Sequence, residues 1–131
     1  MSFLLDTDTC SAQLKSGALT HRLVQYSARL HISAITLAEL YTWALRAKAP
    51  PHRLQGVVDL LNDVIVLELT PDVARRFGEV QASLLDIGQR APHMDLLIAA
   101  TALVHGLTVV THNQQHFQKI PGLSLADWLV P

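Results

Sequence analysis

Three acidic side chains lie beside segments that are apolar enough to be buried. Asp6 follows three apolar residues, Glu39 lies inside an apolar helix-like stretch, and Asp95 precedes five apolar residues. A carboxylate that leaves water loses several kcal/mol of solvation unless it is paired, hydrogen-bonded or bound to a metal ion. The chain has 11 acidic residues in all, so three of them at such places indicate a shared chemical task.

A cluster of carboxylates stays ionised in a cleft only when a counter-charge is near. For a site made of oxygen atoms the usual counter-charge is Mg²⁺ or Mn²⁺, which prefer carboxylates and keep several waters. Such an ion can bridge a phosphate, lower the pKa of a water and stabilise a leaving oxygen. The three acids therefore predict a metal-dependent site for phosphodiester hydrolysis.

Each acid also has a simpler interpretation as a local structural residue. Thr36 and Glu39 have the spacing of a capping box, in which the glutamate returns a hydrogen bond to the cap residue. Asp95 could stabilise the positive end of its helix dipole, and Asp6 and Asp8 could cap a turn or a helix. These alternatives stay open, although three coincidences are less expected than one.

The composition limits the class of protein. A chain of 131 residues suits a single domain over residues 1–131. Its formal net charge of −1 supplies no bulk basic field for nucleic acid, so a phosphate would need local arginines or metal ions. Cys10 is the one cysteine, which excludes an internal disulfide and suits a reducing cytosol. With neither an export signal nor an apolar run of about 20 residues, we expect a cytoplasmic protein that does not span a membrane.

Short apolar runs alternate with longer helical patterns, which predicts an α/β fold with a mainly parallel central sheet flanked by helices. The predicted strands cover residues 2–5, 30–33, 64–67, 107–110 and, as an edge strand, 123–125. The predicted helices cover approximately residues 9–15, 18–28, 37–48, 53–62, 71–86 and 92–106. The helix at 71–86 is expected to begin with Thr70 as its cap and Pro71 at its first position.

In such sheets, ligands bind beyond the carboxyl ends of the strands, next to the helix N-termini that follow. Asp6 lies just past the first predicted strand, and residues 111–113 follow the strand at 107–110. Glu39 and Asp95 are predicted in the first turns of their helices. Four separate segments can therefore deliver polar groups to one edge of one sheet.

With these residues in this order, the chain resembles the PIN-domain proteins, and more closely the VapC-type toxins of bacterial toxin–antitoxin pairs. The resemblance extends over nearly the whole chain, and its specificity lies in the ordered set of motifs. These motifs are Leu4-Leu5-Asp6-Thr7-Asp8, Ile35-Thr36-Leu37-Ala38-Glu39-Leu40, Asp95-Leu96-Leu97-Ile98-Ala99-Ala100, Val109-Val110-Thr111-His112-Asn113-Gln114-Gln115-His116-Phe117 and Ile120-Pro121-Gly122-Leu123.

The resemblance implies a PIN-like fold and an endoribonuclease that depends on Mg²⁺ or Mn²⁺, the toxin of a type II toxin–antitoxin pair. It implies that Asp6, Glu39 and Asp95 are the catalytic, metal-binding acids. The implied partners are an RNA substrate and a cognate antitoxin protein that occupies or distorts the site. A homodimer or a toxin–antitoxin hetero-oligomer is also implied.

One departure from the family's pattern concerns a fourth acid, which many relatives carry near residues 111–117. The candidate positions here hold Asn113 and His116, and neither is a carboxylate. Asn113 can still orient a water or hydrogen-bond to another acid, Thr111 can order the site, and Asp8 can supply a supporting carboxylate. We therefore predict one firm metal site, with a second filled mainly when substrate binds.

Two other functions remain open. A housekeeping PIN ribonuclease in RNA maturation would share the site but would not arrest growth. A degenerate PIN fold would only bind RNA or a protein partner, and the missing fourth acid supports that reading. A zinc site is disfavoured, because His112 and His116 lie in a predicted loop with no cysteine nearby.

A few basic residues could contact RNA beside the predicted cleft. Lys15, Arg46 and Lys48 lie on segments that flank it, although each taken alone is better explained as a solvated surface charge. Trp43 follows Glu39 by four residues and so shares its helix face. We expect a packing role for this tryptophan.

Overall fold

The computed structural model describes residues 1–130. Within them, seven helices and five strands follow one another. The strands are β1 (Phe3–Leu5), β2 (Leu30–Ser33), β3 (Ile65–Leu67), β4 (Thr108–Val110) and β5 (Leu125–Ala126). The helices are α1 (Thr7–Ser16), α2 (Thr20–Gln25), α3 (Ala34–Ala44), α4 (Pro51–Leu60), α5 (Pro71–Asp86), α6 (His93–His105) and α7 (Gln114–Phe117).

The five strands form one parallel sheet in the order β3-β2-β1-β4-β5. β1 lies at its centre, where Leu4 is in register with His31 on one side and Val109 on the other. Because all strands run in the same direction, their carboxyl ends meet at one edge of the sheet. The predicted α/β fold with a parallel sheet is confirmed, and the last strand lies at the edge as expected.

Both faces of the sheet are covered by helices, which explains why β1 is apolar at every position. Phe3 and Leu5 join a core cluster on one face, with Leu40 of α3 and Val57 of α4. Leu4 points to the opposite face and packs in a second cluster with α6 residues and with Phe117 and Ile120. Alternate side chains of a strand point to opposite faces, so a strand buried on both sides needs an unbroken apolar run.

Several predicted boundaries shift in the structure. α3 begins at Ala34 and ends at Ala44, where the prediction was 37–48. It begins early because Ser33 caps it, with the Ser33 hydroxyl accepting a hydrogen bond from the amide of Thr36 at 3.1 Å. Glu39 therefore lies in the second turn of α3, and the prediction that it lies in the first turn is wrong.

The segment after β4 was predicted to be a loop, and this is wrong for residues 114–117, which form the single helical turn α7. A turn of four residues is too short to show helical periodicity in a sequence.

The predicted start of α1 is also late by two residues, since Asp6 caps a helix that begins at Thr7. β5 covers residues 125–126 and not 123–125. The bounds of α5 and its Thr70 cap agree with the prediction.

Within the described part of the chain, no helix combines the length and the apolar character that crossing a bilayer requires.

Candidate active site

Asp6 lies at the carboxyl end of the central strand and is 4% exposed. It is the N-cap of α1, where its Oδ1 atom accepts a hydrogen bond from the amide of Thr9 at 2.9 Å. The backbone is fixed as well, because the amide of Asp6 donates to the carbonyl of Val110 at 3.1 Å. The Thr9 hydroxyl donates to the same carbonyl at 3.0 Å. The local fold therefore holds this carboxylate rigidly between β1 and β4.

The environment of Asp6 disfavours its negative charge. Burial raises the pKa of the Asp6 carboxyl above its ordinary value of 3.8, and the charge of Asp8 raises it further. Hydrogen bonds from Thr111 and Thr9 lower the same pKa without cancelling the effect of burial. Within residues 1–130, Asp6 forms no ion pair with a basic side chain. A cation at this position would supply the missing counter-charge.

Glu39 is brought to the same edge by α3 and is bound to the segment that carries Asp6. The Thr7 hydroxyl donates to Oε1 of Glu39 at 2.6 Å and lies 3.3 Å from the hydroxyl of Thr36. The capping-box interpretation of Thr36 and Glu39 is wrong, because the cap of α3 is Ser33. Glu39 therefore does not serve as the capping-box glutamate at the start of α3.

Asp95 lies in the first turn of α6, where its charge suits the positive end of the helix dipole. Its side chain is 25% exposed, and its Oδ2 atom lies 2.8 Å from Nδ1 of His116 on α7. Because an ionised carboxylate can only accept, this hydrogen bond requires the proton on Nδ1 of His116. The contact joins the N-terminus of α6 to the single turn that follows β4.

Asn113 and Asp8 form another polar contact at this edge. The amide nitrogen of the Asn113 side chain donates to Oδ2 of Asp8. Thr111 is buried and accepts a hydrogen bond from the backbone amide of Asn113 at 3.0 Å. Its own amide donates to the carbonyl of Ala126 on β5 at 2.9 Å. The segment after β4 is thus fixed to the sheet on one side and to Asp8 on the other.

The contacts of two residues at this edge were not predicted from the sequence. Thr7 stands between two acids and was considered only as part of a possible cap, although it binds Glu39. His116 was considered as a zinc ligand or as the substitute for a fourth acid, although it binds Asp95. No local signal could have revealed these contacts, because Thr7 and Glu39 are 32 residues apart and His116 and Asp95 are 21 residues apart.

The donor atoms at this edge suit a hard divalent cation. Asp6, Glu39 and Asp95 offer only carboxylate oxygens, the ligands that Mg²⁺ and Mn²⁺ prefer. Hydrogen bonds engage one oxygen of Glu39 and one of Asp95, through Thr7 and His116. In residues 1–130, however, no three side chains of His, Cys, Asp or Glu lie close enough together to surround an ion. The acids share an edge of the sheet without converging on one point.

Comparison with known proteins shows the family to which the chain belongs. A PIN-domain family model matches residues 3–123. The tRNA(fMet)-specific endonuclease VapC of Salmonella typhimurium is 34% identical over 130 residues, which span 98% of each chain. The chain therefore belongs to the PIN-domain family, and within it to the VapC group.

Solved structures agree with this assignment over nearly the full length. In the DNA-bound VapBC structure from Salmonella typhimurium, the similar chain has a TM-score of 0.92 at 34% identity, with 98% of each chain covered. VapBC2 from Rickettsia felis, bound to a DNA fragment from its promoter, gives a TM-score of 0.90 at 26% identity. That match covers 98% of this chain and 99% of the other.

Proposed function

We propose that this protein is a metal-dependent endoribonuclease and the toxin of a type II toxin–antitoxin pair. The observation that carries the proposal is the carboxylate of Asp6, which is buried, has an acidic neighbour and forms no ion pair within residues 1–130. Similarity over the whole chain to an enzyme named as a tRNA endonuclease supports RNA as the substrate.

Asp6, Glu39 and Asp95 would hold the cation, and Asp8 would support them. A Mg²⁺ or Mn²⁺ ion bound there would neutralise phosphate charge and favour attack on phosphorus by water. The remaining work belongs to the residues of this chain. Asp6 supplies a carboxylate whose position is fixed before any ligand binds, because its cap hydrogen bond and its backbone are both anchored. Such preorganisation is a main source of catalytic power.

Side chains other than the acids orient the carboxylates at the edge. Thr7 holds Glu39, His116 holds Asp95, and the amide of Asn113 holds Asp8. Thr111 contributes twice, since it lowers the pKa of Asp6 and fixes the backbone of Asn113. These four residues would direct carboxylates from three separate segments toward the edge where a phosphodiester would lie.

An antitoxin protein is the proposed partner besides RNA. The solved relatives from Salmonella typhimurium and Rickettsia felis are VapBC assemblies bound to DNA. We infer that this chain likewise assembles with an antitoxin, in a homodimer or a hetero-oligomer. A cognate antitoxin should occupy or distort the acidic edge and so suppress cleavage.

One observation favours a second candidate, a PIN fold that binds RNA or protein without cutting it. The acids do not converge in residues 1–130, and residues 111–117 contain no carboxylate. This candidate predicts no metal-dependent turnover and no effect of Asp6→Asn on binding. A housekeeping nuclease would cut RNA but would not arrest growth when it is expressed without a partner.

The test is cleavage of a cellular RNA pool and of purified tRNA(fMet) by partner-free protein. The pool allows for other targets, and the tRNA is included because of the name of the Salmonella relative. Reactions contain Mg²⁺, Mn²⁺ or chelator, with Asp95→Asn as the matched inactive variant. We expect discrete fragments that need the metal and are missing with the variant. If folded, metal-loaded protein cuts neither substrate, the binding-only candidate is favoured.

A further inference from the structure

The connection between α3 and α4 forms a basic cleft that no part of the proposed chemistry uses. The cleft has a volume of about 510 Å³, and three of its five lining residues are cations. These three, which we call the basic cleft residues, are Arg46, Lys48 and Arg53. On a chain whose formal net charge is −1, three cations around one cavity are a local concentration of positive charge.

The charges of the basic cleft are not neutralised by the protein. Within residues 1–130 the ion pairs involve Arg76, His112 and His116, and none involves a basic cleft residue. Arg46 and Lys48 are exposed. Cations placed together without carboxylate partners repel one another, and an anionic ligand would remove that repulsion.

The cleft begins just after the C-terminal end of α3, the helix that carries Glu39. Trp43 lies one turn further along α3, about 6 Å along the helix axis. The guanidinium of Arg53 lies over the Trp43 ring at 4.8 Å from its centroid. It also donates to the carbonyl of Trp43 at 3.3 Å. Trp43 therefore lies on α3 between Glu39 and the end of the helix, where the basic cleft begins.

We propose that the basic cleft binds the backbone of single-stranded RNA next to the active site, an inference that rests on the proposed function. Arg46 and Lys48 would contact phosphates. Arg53, whose guanidinium lies over the Trp43 ring, would offer that group to a base, since bases stack on arginine planes. An acidic protein segment would also suit the charge, but the arginine over Trp43 and the position of the cleft at the end of the helix that carries Glu39 favour RNA.

The test measures binding of a labelled single-stranded RNA oligonucleotide to full-length protein in chelator, so that no metal-dependent cleavage interferes. The variant Arg46→Gln/Lys48→Gln removes two exposed charges. The matched control Arg29→Gln/Arg75→Gln removes two exposed charges elsewhere on the chain. For single-stranded nucleic acid, the slope of the log binding constant against log salt concentration should become shallower by about 0.7 per lost phosphate contact. The cleft variant should therefore lose about 1.4 of this slope. The control should keep the slope of the natural protein.

Four outcomes decide the proposal. A shallower slope for the cleft variant alone supports it, whereas equal slopes for both variants overturn it. The proposal is also overturned if the cleft variant keeps the salt slope of the natural protein for RNA but no longer binds a poly-glutamate peptide. That result would identify the cleft as a site for an acidic protein segment. If the cleft variant binds RNA more weakly but no protein cuts RNA with Mg²⁺ or Mn²⁺, the cleft stands and the proposed nuclease function fails.

Discussion

His116 and Asp95 are 21 residues apart in the sequence and meet through a hydrogen bond of 2.8 Å between Nδ1 and Oδ2. This contact places a hydrogen-bond donor beside a proposed metal ligand. A group that orients a metal-binding carboxylate affects the metal affinity without touching the metal itself. We therefore propose that His116 is a positioning residue for Asp95.

The first prediction concerns this contact. His116→Leu should weaken Mn²⁺ binding by about 10- to 100-fold, the usual cost of losing such an orienting group. His116→Gln keeps a donor and should restore part of the affinity. Titration calorimetry with Mn²⁺ measures both, and thermal unfolding in chelator is the control. The His116 side chain is 47% exposed, so neither variant should lose much stability. Equal Mn²⁺ affinity in the natural protein and the leucine variant would contradict the role.

The second prediction concerns the stability of the protein as a function of pH. The pKa of Asp6 is raised above 3.8 in the folded protein, so between its unfolded and folded pKa values the folded state binds more protons. The contribution of Asp6 to the free energy of unfolding therefore falls as pH rises through that window and stays unfavourable above it. Asp6→Asn removes the buried charge and keeps a good cap residue.

We accordingly expect Asp6→Asn to abolish cleavage and yet to unfold at a higher temperature than the natural protein at pH 7 in chelator. The difference in Tm should shrink as pH falls toward 3.8 and below. Added Mn²⁺ should raise the Tm of the natural protein but not that of the variant. A variant that is less stable at pH 7 would show that the cap needs the ionised form. Cleavage at full rate would refute the catalytic role of Asp6.

The third prediction tests the missing fourth acid. Without RNA, the natural protein should titrate with one tight Mn²⁺ site. Asn113→Asp replaces the donor to Asp8 with a second carboxylate, and adjacent carboxylates repel without a counter-charge. The variant should therefore unfold at a lower temperature in chelator and gain a second Mn²⁺ site. Asn113→Ala, which loses the donor and adds no charge, should gain none. Two equivalent tight sites in the natural protein would contradict the prediction.

The segments that could be predicted from the sequence are those in which a single strong pattern indicates one structure and no second pattern indicates another. An unbroken apolar run followed by Asp6 identified the first strand and its end. Thr70 and Pro71 identified the start of α5. At the start of α3 two patterns competed, since Ser33 and Thr36 are both suitable caps. The glutamate three residues after Thr36 favoured the wrong one. The strand ends at Ser33, so the helix begins directly after it.

The contacts between side chains of the site could not be predicted for a different reason. Thr7 and Glu39 are 32 residues apart and the side chains of Asp8 and Asn113 are 105 apart. No local periodicity relates positions at such distances. A prediction of these contacts would also have required the strand order, because β4 lies beside β1 although the two strands are far apart in the chain. The sequence indicated which polar groups share an edge, but the partner of each group follows only from the folded arrangement.

The last prediction concerns Thr7, whose hydroxyl donates to Oε1 of Glu39 at 2.6 Å. Thr7→Val keeps the shape of the side chain and removes the donor, whereas Thr7→Ser keeps the donor. The valine variant should lose about 1 kcal/mol of unfolding free energy, a typical net value for one hydrogen bond. It should also bind Mn²⁺ more weakly, because Glu39 is then free to turn away.

Denaturant unfolding in chelator and Mn²⁺ titration separate the two effects of Thr7. Serine should restore the metal affinity even if its smaller side chain does not restore all of the stability. If serine and valine bind Mn²⁺ with equal strength, the hydroxyl does not orient Glu39 for the metal. Thr7 would then serve only to pack α1 against α3, and the cleavage rate of both variants should follow their stability.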